Sequence, residues 1–273
     1  MTTTQKLIKN LGLALAVFLS VCIIGGIITA LGGIAYIFSD REEPAGEMKV
    51  YSIEREISSL SVDLSGAELK IKTADKFSVE SNHKYISVNS DNGKLTVSET
   101  KKPFSFSSKG VTVILSVPEG FVFKEAAIAT GAGKVSVDAL SCNDLKLSLG
   151  AGKADVKNLI ANSDARIDGG AGELNIDGGL LSNLELDMGV GELNLKSRIE
   201  GESELDYGVG ETNLTLLGSR EDYKIKLDKG IGEAKIEGVS MADDSVYGTG
   251  ENLIDIDGGV GEINIEFSEY GNE

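Results

Sequence analysis

The sequence of 273 residues is poor in the side chains on which many enzyme active sites depend. It has no tryptophan, and His83 is its only histidine. Metal sites built from histidine, and catalysis by serine–histidine or cysteine–histidine pairs, therefore have almost nothing to use. Its glycine phrases also lack the lysine–serine pair of a nucleotide-binding loop, and no helical pattern follows them. These gaps argue against the common catalytic classes.

Cysteines and aromatic residues are equally scarce. Cys22 lies in a long apolar run and Cys142 in a polar–apolar alternation, so they cannot pair and the protein has no disulfide framework. Cys142 is expected to be structural. Residues 127–273 contain four tyrosines and one phenylalanine, whereas grooves that process sugars favour aromatic platforms. Paired carboxylates can cleave glycosides, but here they recur in every repeat, which indicates architecture. We predict that the protein is not an enzyme and has no cofactor.

Basic residues are outnumbered, with 26 lysines and arginines against 43 aspartates and glutamates. The imbalance is confined to one part of the chain. Residues 168–273 carry 25 acidic and 7 basic residues, a net charge of −18, while residues 1–167 carry a net +1. Nucleic acids and anionic lipids require a basic surface, so neither is an expected ligand. The acidic part is suited to cationic partners, or it serves only solubility.

One long uncharged and mostly apolar run, residues 11–38, has the length needed to cross a bilayer. It exceeds the apolar core of a cleaved signal peptide. Lys6 and Lys9 precede it, and mainly acidic residues follow it, which places residues 1–10 in the cytoplasm. We therefore predict a single-pass protein of the cell membrane, with everything after residue 40 outside the cytoplasm.

Small residues recur every four positions in this apolar run. Such spacing lets two helices approach closely in lipid, which favours a helix partner, either another membrane protein or a second copy. The simpler alternative is that glycine and alanine are common in membrane spans. The candidate packing residues are Gly12, Ala16, Ser20, Gly25, Gly26, Thr29, Ala30 and Gly33.

The acidic part of the chain repeats one short phrase five times. Each copy begins with aspartate, contains Gly-x-Gly and ends with glutamate. Weaker copies at Gly131 and Gly150 precede them, and most copies follow one another at nearly constant intervals. A fixed period of roughly 20 residues indicates stacked structural units. The five copies are residues 168–173, 187–192, 206–211, 228–233 and 257–262.

Strict alternation of apolar and polar residues surrounds each copy. Leu184, Leu186 and Met188 precede the glycines of one unit, and Leu193 and Leu195 follow them. This period of two indicates strands with one buried face. We predict an all-β fold, a β-solenoid in which each coil holds two short strands joined at Gly-x-Gly.

Stacking places equivalent residues in ladders along the solenoid. Like charges in register repel each other, so the ladders need an explanation. One is local, since aspartate before a turn accepts backbone hydrogen bonds and charge keeps the surface soluble. The other is a hard cation such as Ca²⁺, which takes several oxygen ligands. The candidate cation ligands are Asp168, Asp187, Asp206, Asp228 and Asp257, beside ladders of Glu173, Glu192, Glu211, Glu233 and Glu262 and of Asn175, Asn194, Asn213 and Asn264.

The remaining boundaries follow from composition. Residues 39–57 are polar and are predicted to form a stalk. Residues 58–126 are predicted to be an N-terminal β region that caps the solenoid, residues 127–268 to be the repeats and residues 269–273 to be a tail. Ser65 to Glu68 resembles a degenerate corner of a first coil. The irregular stretch from Met241 to Glu251 indicates an inserted loop.

The chain resembles the β-strand-repeat "putative adhesin" domains of unknown function that are common in Gram-positive bacteria. The resemblance covers about residues 50–268, and it rests on residues 113–120, the glycines after Thr130 and above all the closing phrase of residues 257–265. It implies a solenoid-like domain outside the membrane and supplies no catalytic residues. We expect an adhesin or envelope interaction module that binds a protein or an envelope polymer. The alternative is an accessory subunit of an envelope-stress system, acting through its membrane helix.

Overall fold

The computed structural model describes residues 46–100 and 110–269. These residues form β-strands and one 3₁₀ turn, Arg220–Asp222, so the all-β prediction is confirmed. The strands are β1 Lys49–Ser52, β2 Ser59–Leu64, β3 Glu68–Ala74, β4 Ser78–Ser81, β5 Ile86–Asp91, β6 Lys94–Glu99, β7 Thr112–Pro118, β8 Val122–Val137, β9 Leu140–Val156, β10 Leu159–Ile176, β11 Gly179–Ser182, β12 Leu184–Glu200, β13 Glu202–Leu217, β14 Tyr223–Asp228, β15 Ile231–Ile236, β16 Val239–Ser240, β17 Ser245–Gly248 and β18 Asn252–Ser268.

Among the described residues, no helix has the length and apolar character needed to cross a bilayer. The predicted span, residues 11–38, and its small packing residues lie outside the described residues. Part of the predicted stalk is described, and it contains β1, which pairs antiparallel with β4.

The long strands β8, β9, β10, β12 and β13 stack in parallel and in register. Each is one coil of a solenoid-like core, as the repeat period of the sequence predicts. The alternation in sequence becomes an alternation in space, because every second side chain points into the core. Leu147, Ile167, Leu186 and Leu205, for example, follow one another from coil to coil and are all buried.

The strands run unbroken through the Gly-x-Gly corner in β8, β9, β10, β12, β13 and β18. The prediction of two separate strands in each coil is wrong there, and holds only where β14 and β15 are interrupted. The reason is that glycine bends the chain while the ladder continues: Gly191 has φ 144°, and Val190 stays paired with its neighbours on both sides. A Cβ atom on Gly189 would overlap the carbonyl oxygen of Gly170 in the preceding coil, so no side chain fits at this glycine position.

A third segment of each middle coil completes the core. It contributes a row of buried residues with very little exposed area, including Cys142 and Ala161. Burial raises the pKa of the Cys142 thiol to about 12, so this cysteine is protonated and unreactive at neutral pH. The buried row is Phe123, Cys142, Ala161, Leu181 and Ile199.

The order of the coils in space differs from their order in the chain. At the C-terminal end, β18 pairs with β13 along its whole length. On its other side β18 pairs with β14 and β15. The last coil of the sequence, β18, therefore lies between β13 and the interrupted coil formed by β14 and β15. The N-terminal end shows the same inversion: β2 and β3 lie between β8 and the outermost pair, β6 and β7.

Short antiparallel strands cover the outermost coils at both ends. At one end β5 lies on β6, and β4 lies on β7. At the other end β17 lies on β14, and β16 on β15. The stretch from Met241 to Glu251, predicted as an inserted loop, thus supplies a covering strand. Short antiparallel edges interrupt the parallel stacking, which limits edge-to-edge association.

Candidate functional site: the acidic corner

The repeated phrases come together as one continuous ridge, here named the acidic corner. It consists of the aspartate row, the Gly-x-Gly apex and the glutamate row of five consecutive coils. Neighbouring coils are about 4.8 Å apart. In space the predicted cation ligands follow the order Asp168, Asp187, Asp206, Asp257, Asp228, because of the inserted last coil.

Cationic side chains lie at the two ends of the aspartate side. At one end Arg166 is 2.7 Å from Glu185 and 3.8 Å from Asp168. At the other end Lys226 is 3.0 Å from Asp255. The row next to the aspartates therefore reads Arg166, Glu185, Glu204, Asp255, Lys226 in space. The acids are concentrated in the middle, and their counter-charges stand at the margins.

Three carboxylates meet at the centre of this side. Glu204, Asp206 and Asp257 each place an oxygen within 4.8 Å of the other two. Burial raises the pKa of Asp206, and the neighbouring charges of Asp187 and Asp257 raise it further. The raised pKa means that ionising Asp206 costs more free energy in the folded protein than in the unfolded chain.

The structure thus brings only part of the predicted cation ladder into one cluster. Asp206 and Asp257 join Glu204, whereas Asp168 accepts a hydrogen bond from Ser148 at 3.1 Å. Asp228 accepts from the backbone N–H of Gly230 at 3.0 Å, as the local explanation predicts. Sequence reasoning missed Glu204, although its outward position two residues before Asp206 was a signal. Binding of Ca²⁺ stays a prediction, checked by the melting temperature in millimolar Ca²⁺.

The glutamate row is neutralised in the same way, at its ends. Lys153 in the coil before the row is 2.6 Å from Glu173. At the far end Lys235 lies 3.2 Å from Glu262 and 3.1 Å from Glu233. The hydrogen bond from Lys153 lowers the pKa of Glu173. On both sides of the acidic corner, the ion pairs therefore start from the ends of the rows and reach as far as Asp187, 3.9 Å from Arg166, and Glu262.

An asparagine ladder supports the glutamate row. Asn194 donates one amide hydrogen bond to Asn175 in the preceding coil, at 2.8 Å, and another to Glu192 in its own coil, at 2.8 Å. Asn213 repeats both contacts. Each side chain thus links two coils and holds a carboxylate. The complete ladder is Asp155, Asn175, Asn194, Asn213 and Asn264.

The apex between the two acidic rows is apolar. The side chain between the glycines points outward: Val190 is 43% exposed and Ile231 39% exposed, and Val209 and Val260 between them are half-buried. These residues pair in register from coil to coil, so they form a single-file row along the ridge. In spatial order the row is Ala132, Ala151, Ala171, Val190, Val209, Val260 and Ile231.

A shallow open depression lies beside this row on the aspartate side. Its walls are Asp187, Asp206 and Asp257, and its floor is formed by the following residues of the same three coils. Tyr207 closes the floor from inside, since its ring is buried and its hydroxyl donates to the carbonyl oxygen of Gly191. The arrangement offers carboxylate oxygens around an uncharged floor, which suits a cationic group.

The single histidine has a structural role far from this corner. His83 is buried, and its Nδ1 accepts from the N–H of Tyr85 at 3.1 Å. Its Nε2 therefore carries the proton and donates to Glu99 at 3.0 Å. Glu99 also accepts from the backbone N–H groups of Ser65 and Gly66. This network closes the degenerate first corner.

Residues 57–268 match the family described as Toastrack DUF4097. The chain belongs to this family. The resemblance read from the glycine phrases is thereby confirmed, and the repeats of the acidic corner lie inside the matched region. No curated protein matches the chain.

Several solved structures are similar to this Toastrack protein at low identity. A "putative cell adhesion protein" from Clostridium sporogenes ATCC 15579 is 17% identical, with a TM-score of 0.38 over 81% of this chain and 99% of that chain. A "putative adhesin" from Bacteroides fragilis NCTC 9343 is 13% identical, with a TM-score of 0.34 over 80% and 96%. A third, from Parabacteroides distasonis ATCC 8503, is 16% identical, with a TM-score of 0.31 over 82% and 98%. Likeness at this level carries no argument about function.

Proposed function

We propose that this Toastrack protein is a non-enzymatic, adhesin-like interaction module at the outer face of the cell membrane. The predicted span, residues 11–38, anchors it with the N-terminus in the cytoplasm. The stacked coils then hold a binding surface away from the bilayer. Its ligand is another protein or an envelope polymer.

The observation that carries this proposal is the charge pattern of the acidic corner. Burial raises the pKa of Asp206, and the like charges of Asp187 and Asp257 raise it further. Like charges in register reduce stability. Arg166 and Lys226 show that basic residues fit on this face, yet they stand at its margins. Carboxylates that lower stability and are nevertheless kept at the centre of a surface are typical of a binding site.

The same pattern disfavours catalysis. Catalytic carboxylates need distinct environments that separate their roles, whereas Glu204, Asp206 and Asp257 form one cluster of like groups. Within the described residues, the histidine is held by Glu99 and Tyr85, and Cys142 is buried. None of these groups faces the acidic corner.

Crosslinking of the full-length protein in its native membrane, followed by mass spectrometry of the adducts, tests the proposal. Adducts to wall polymer or to extracytoplasmic proteins, through residues 46–269, are the expected result. If the crosslinks from these residues reach only copies of the same chain, the protein is a scaffold and the proposal fails.

The second candidate, a regulatory subunit, rests on the small residues of the predicted span. It expects the crosslinks to reach one integral membrane protein through residues 11–38. Replacing Gly25 and Gly33 by leucine would then abolish that adduct while the outer domain stays folded. Replacing Leu15 and Leu31 by isoleucine in the same span is the matched control, which leaves the small residues in place.

A further inference from the structure

We propose that the acidic corner binds a basic amphipathic helix of a partner protein, laid along the apolar apex with its cationic side chains on both carboxylate rows. This inference rests on the proposed function and names the chemistry of the partner. Its central part is the three coils β12, β13 and β18. There the apex residues are Val190, Val209 and Val260.

The order of surfaces across the ridge is the first argument. An apolar row one side chain wide lies between two rows of acids: Asp187, Asp206 and Asp257 on one side, Glu192, Glu211 and Glu262 on the other. An amphipathic helix presents the complementary order, an apolar stripe with charged residues on both flanks. Here those flanking residues would be lysine or arginine.

The spacing along the ridge is the second argument. Coils repeat about every 4.8 Å, and an α-helix repeats about every 5.4 Å per turn. Over the three central coils the two repeats drift apart by roughly 1 Å. Two turns of helix therefore bring apolar residues onto successive apex valines. An extended chain would place its own polar backbone on that apolar row, where its hydrogen bonds would be lost.

Charge excludes a second copy as the preferred occupant. A second copy would bring carboxylate rows against carboxylate rows, which repel. The basic residues near the ridge, such as Arg166 and Lys235, are already paired with acids of their own chain. A polymer with cationic groups and no apolar stripe would satisfy the two rows but not the valines. The observed combination favours the helix.

The test uses the full chain in nanodiscs of zwitterionic lipid and two labelled peptides of identical composition. Both peptides consist of lysine, alanine and leucine and are long enough for about five helical turns. In the amphipathic peptide the leucines lie on one stripe with lysines beside it, and in the shuffled peptide they are spread around the helix. Binding is measured by fluorescence anisotropy, with empty nanodiscs as the background.

Two variants and their controls separate the contributions of charge and apolar contact. The charge variant is Asp206→Asn, Asp257→Asn and Glu211→Gln, and its matched control removes the same charge from the exposed acids Asp75, Glu119 and Glu125. The apex variant replaces Val190, Val209 and Val260 by serine. Its control replaces Val239 and Val246 by serine, at the C-terminal cap, where they are 65% and 60% exposed.

We expect the amphipathic peptide to bind at least tenfold more tightly than the shuffled peptide. The charge variant should lose at least tenfold in affinity and the apex variant at least threefold, while both controls stay within twofold. Circular dichroism of each variant confirms that it is folded. The affinity should also fall with added salt, because the contacts are partly exposed.

Equal binding of both peptides would show that the surface recognises charge alone. It would contradict the proposal that the partner is an amphipathic helix. Self-association of the protein that the apex variant abolishes would instead identify a second copy as the occupant. No binding to the unmodified protein would overturn this inference by itself. The proposed function would still be decided separately, by the crosslinks from native membranes.

Discussion

Replacing Asp206 by asparagine should stabilise the protein at neutral pH. Asn is nearly isosteric with Asp and removes the negative charge between Asp187 and Asp257, its in-register neighbours. Repulsion between like charges directly opposite on a sheet is worth roughly 0.2–1 kcal/mol per pair. Two pairs therefore give a gain of about 1 kcal/mol, or roughly 3 °C in melting temperature for a domain of this size.

The pH dependence of this gain distinguishes effects of the carboxylate charge, which are its burial and its repulsion by neighbouring acids, from effects that do not depend on charge. The pKa of Asp206 is raised in the folded protein, so the folded state holds the proton more tightly than the unfolded state does. The penalty of the ionised group is then absent below the ordinary aspartate pKa, appears as the pH rises and is complete above the folded pKa. The gain from Asn should be full at pH 7 and vanish near pH 3.

Thermal melts followed by circular dichroism measure this gain, since the chain has no tryptophan for fluorescence. The matched control is Asp168→Asn at the equivalent position of another coil. Asp168 has Arg166 at 3.8 Å and a hydrogen bond from Ser148, so its replacement should leave the melting temperature unchanged or lower it. A stabilisation that persists at pH 3, or that both variants share, would refute the reasoning.

Three further predictions concern the fold. Gly191→Ala should destabilise by about 2–6 kcal/mol, from overpacking and from φ strain, because its Cβ would overlap the carbonyl of the preceding coil. Gly238→Ala, also at positive φ but in open space, should do less harm in the same thermal melts. Asn194→Ala removes three hydrogen bonds and should lower the free energy of unfolding by about 1–3 kcal/mol. In the control, Asn89→Ala at an exposed position, it should change by less than about 0.5 kcal/mol. Equal effects of the two variants in urea melts would contradict a stabilising role of the asparagine ladder. For Glu99, burial favours a raised pKa, but hydrogen bonds from His83, Ser65 and Gly66 outweigh it, so the pKa is lowered. This stabilisation is present above the ordinary glutamate pKa and is lost as the pH falls through the folded value. The wild type should therefore lose more stability than Glu99→Gln between pH 5 and pH 3. Parallel pH profiles of the two proteins would be evidence against a stabilising role of ionised Glu99.

Much of the repeat was accessible from local sequence. The inward residues, such as Leu184 and Leu186, were predicted by alternation, because a strand has only two faces. The corners were predicted by glycine, because close stacking leaves no space for a Cβ atom.

The composition of the candidate site was predicted less well. The aspartate ladder was read from the sequence, but Glu204 was not joined to it. The asparagine ladder was noted as a pattern, while its two roles, linking coils and holding glutamates, depend on amide orientation. The single-file apex was hidden by its small and varied residues, alanine in the early coils and valine or isoleucine later. Its exposure follows from the bend of the chain at each corner, which is a feature of the folded protein and not of the local sequence.

Local sequence was enough to predict the period, the inward face and the glycine corners, because each depends on residues close together in the chain. Tertiary structure alone decided the order of the coils. The repeats are nearly interchangeable in sequence, so no local pattern selects whether β14 or β18 stacks on β13. β18 pairs with β13 over 15 residue pairs, whereas β14 and β15 together pair with β18 over 12. The full-length coil therefore covers more of its neighbour than the interrupted coil does. That order brings Asp257 beside Asp206 and moves the neutralising lysines to the margin, and thereby creates the centre of the acidic corner.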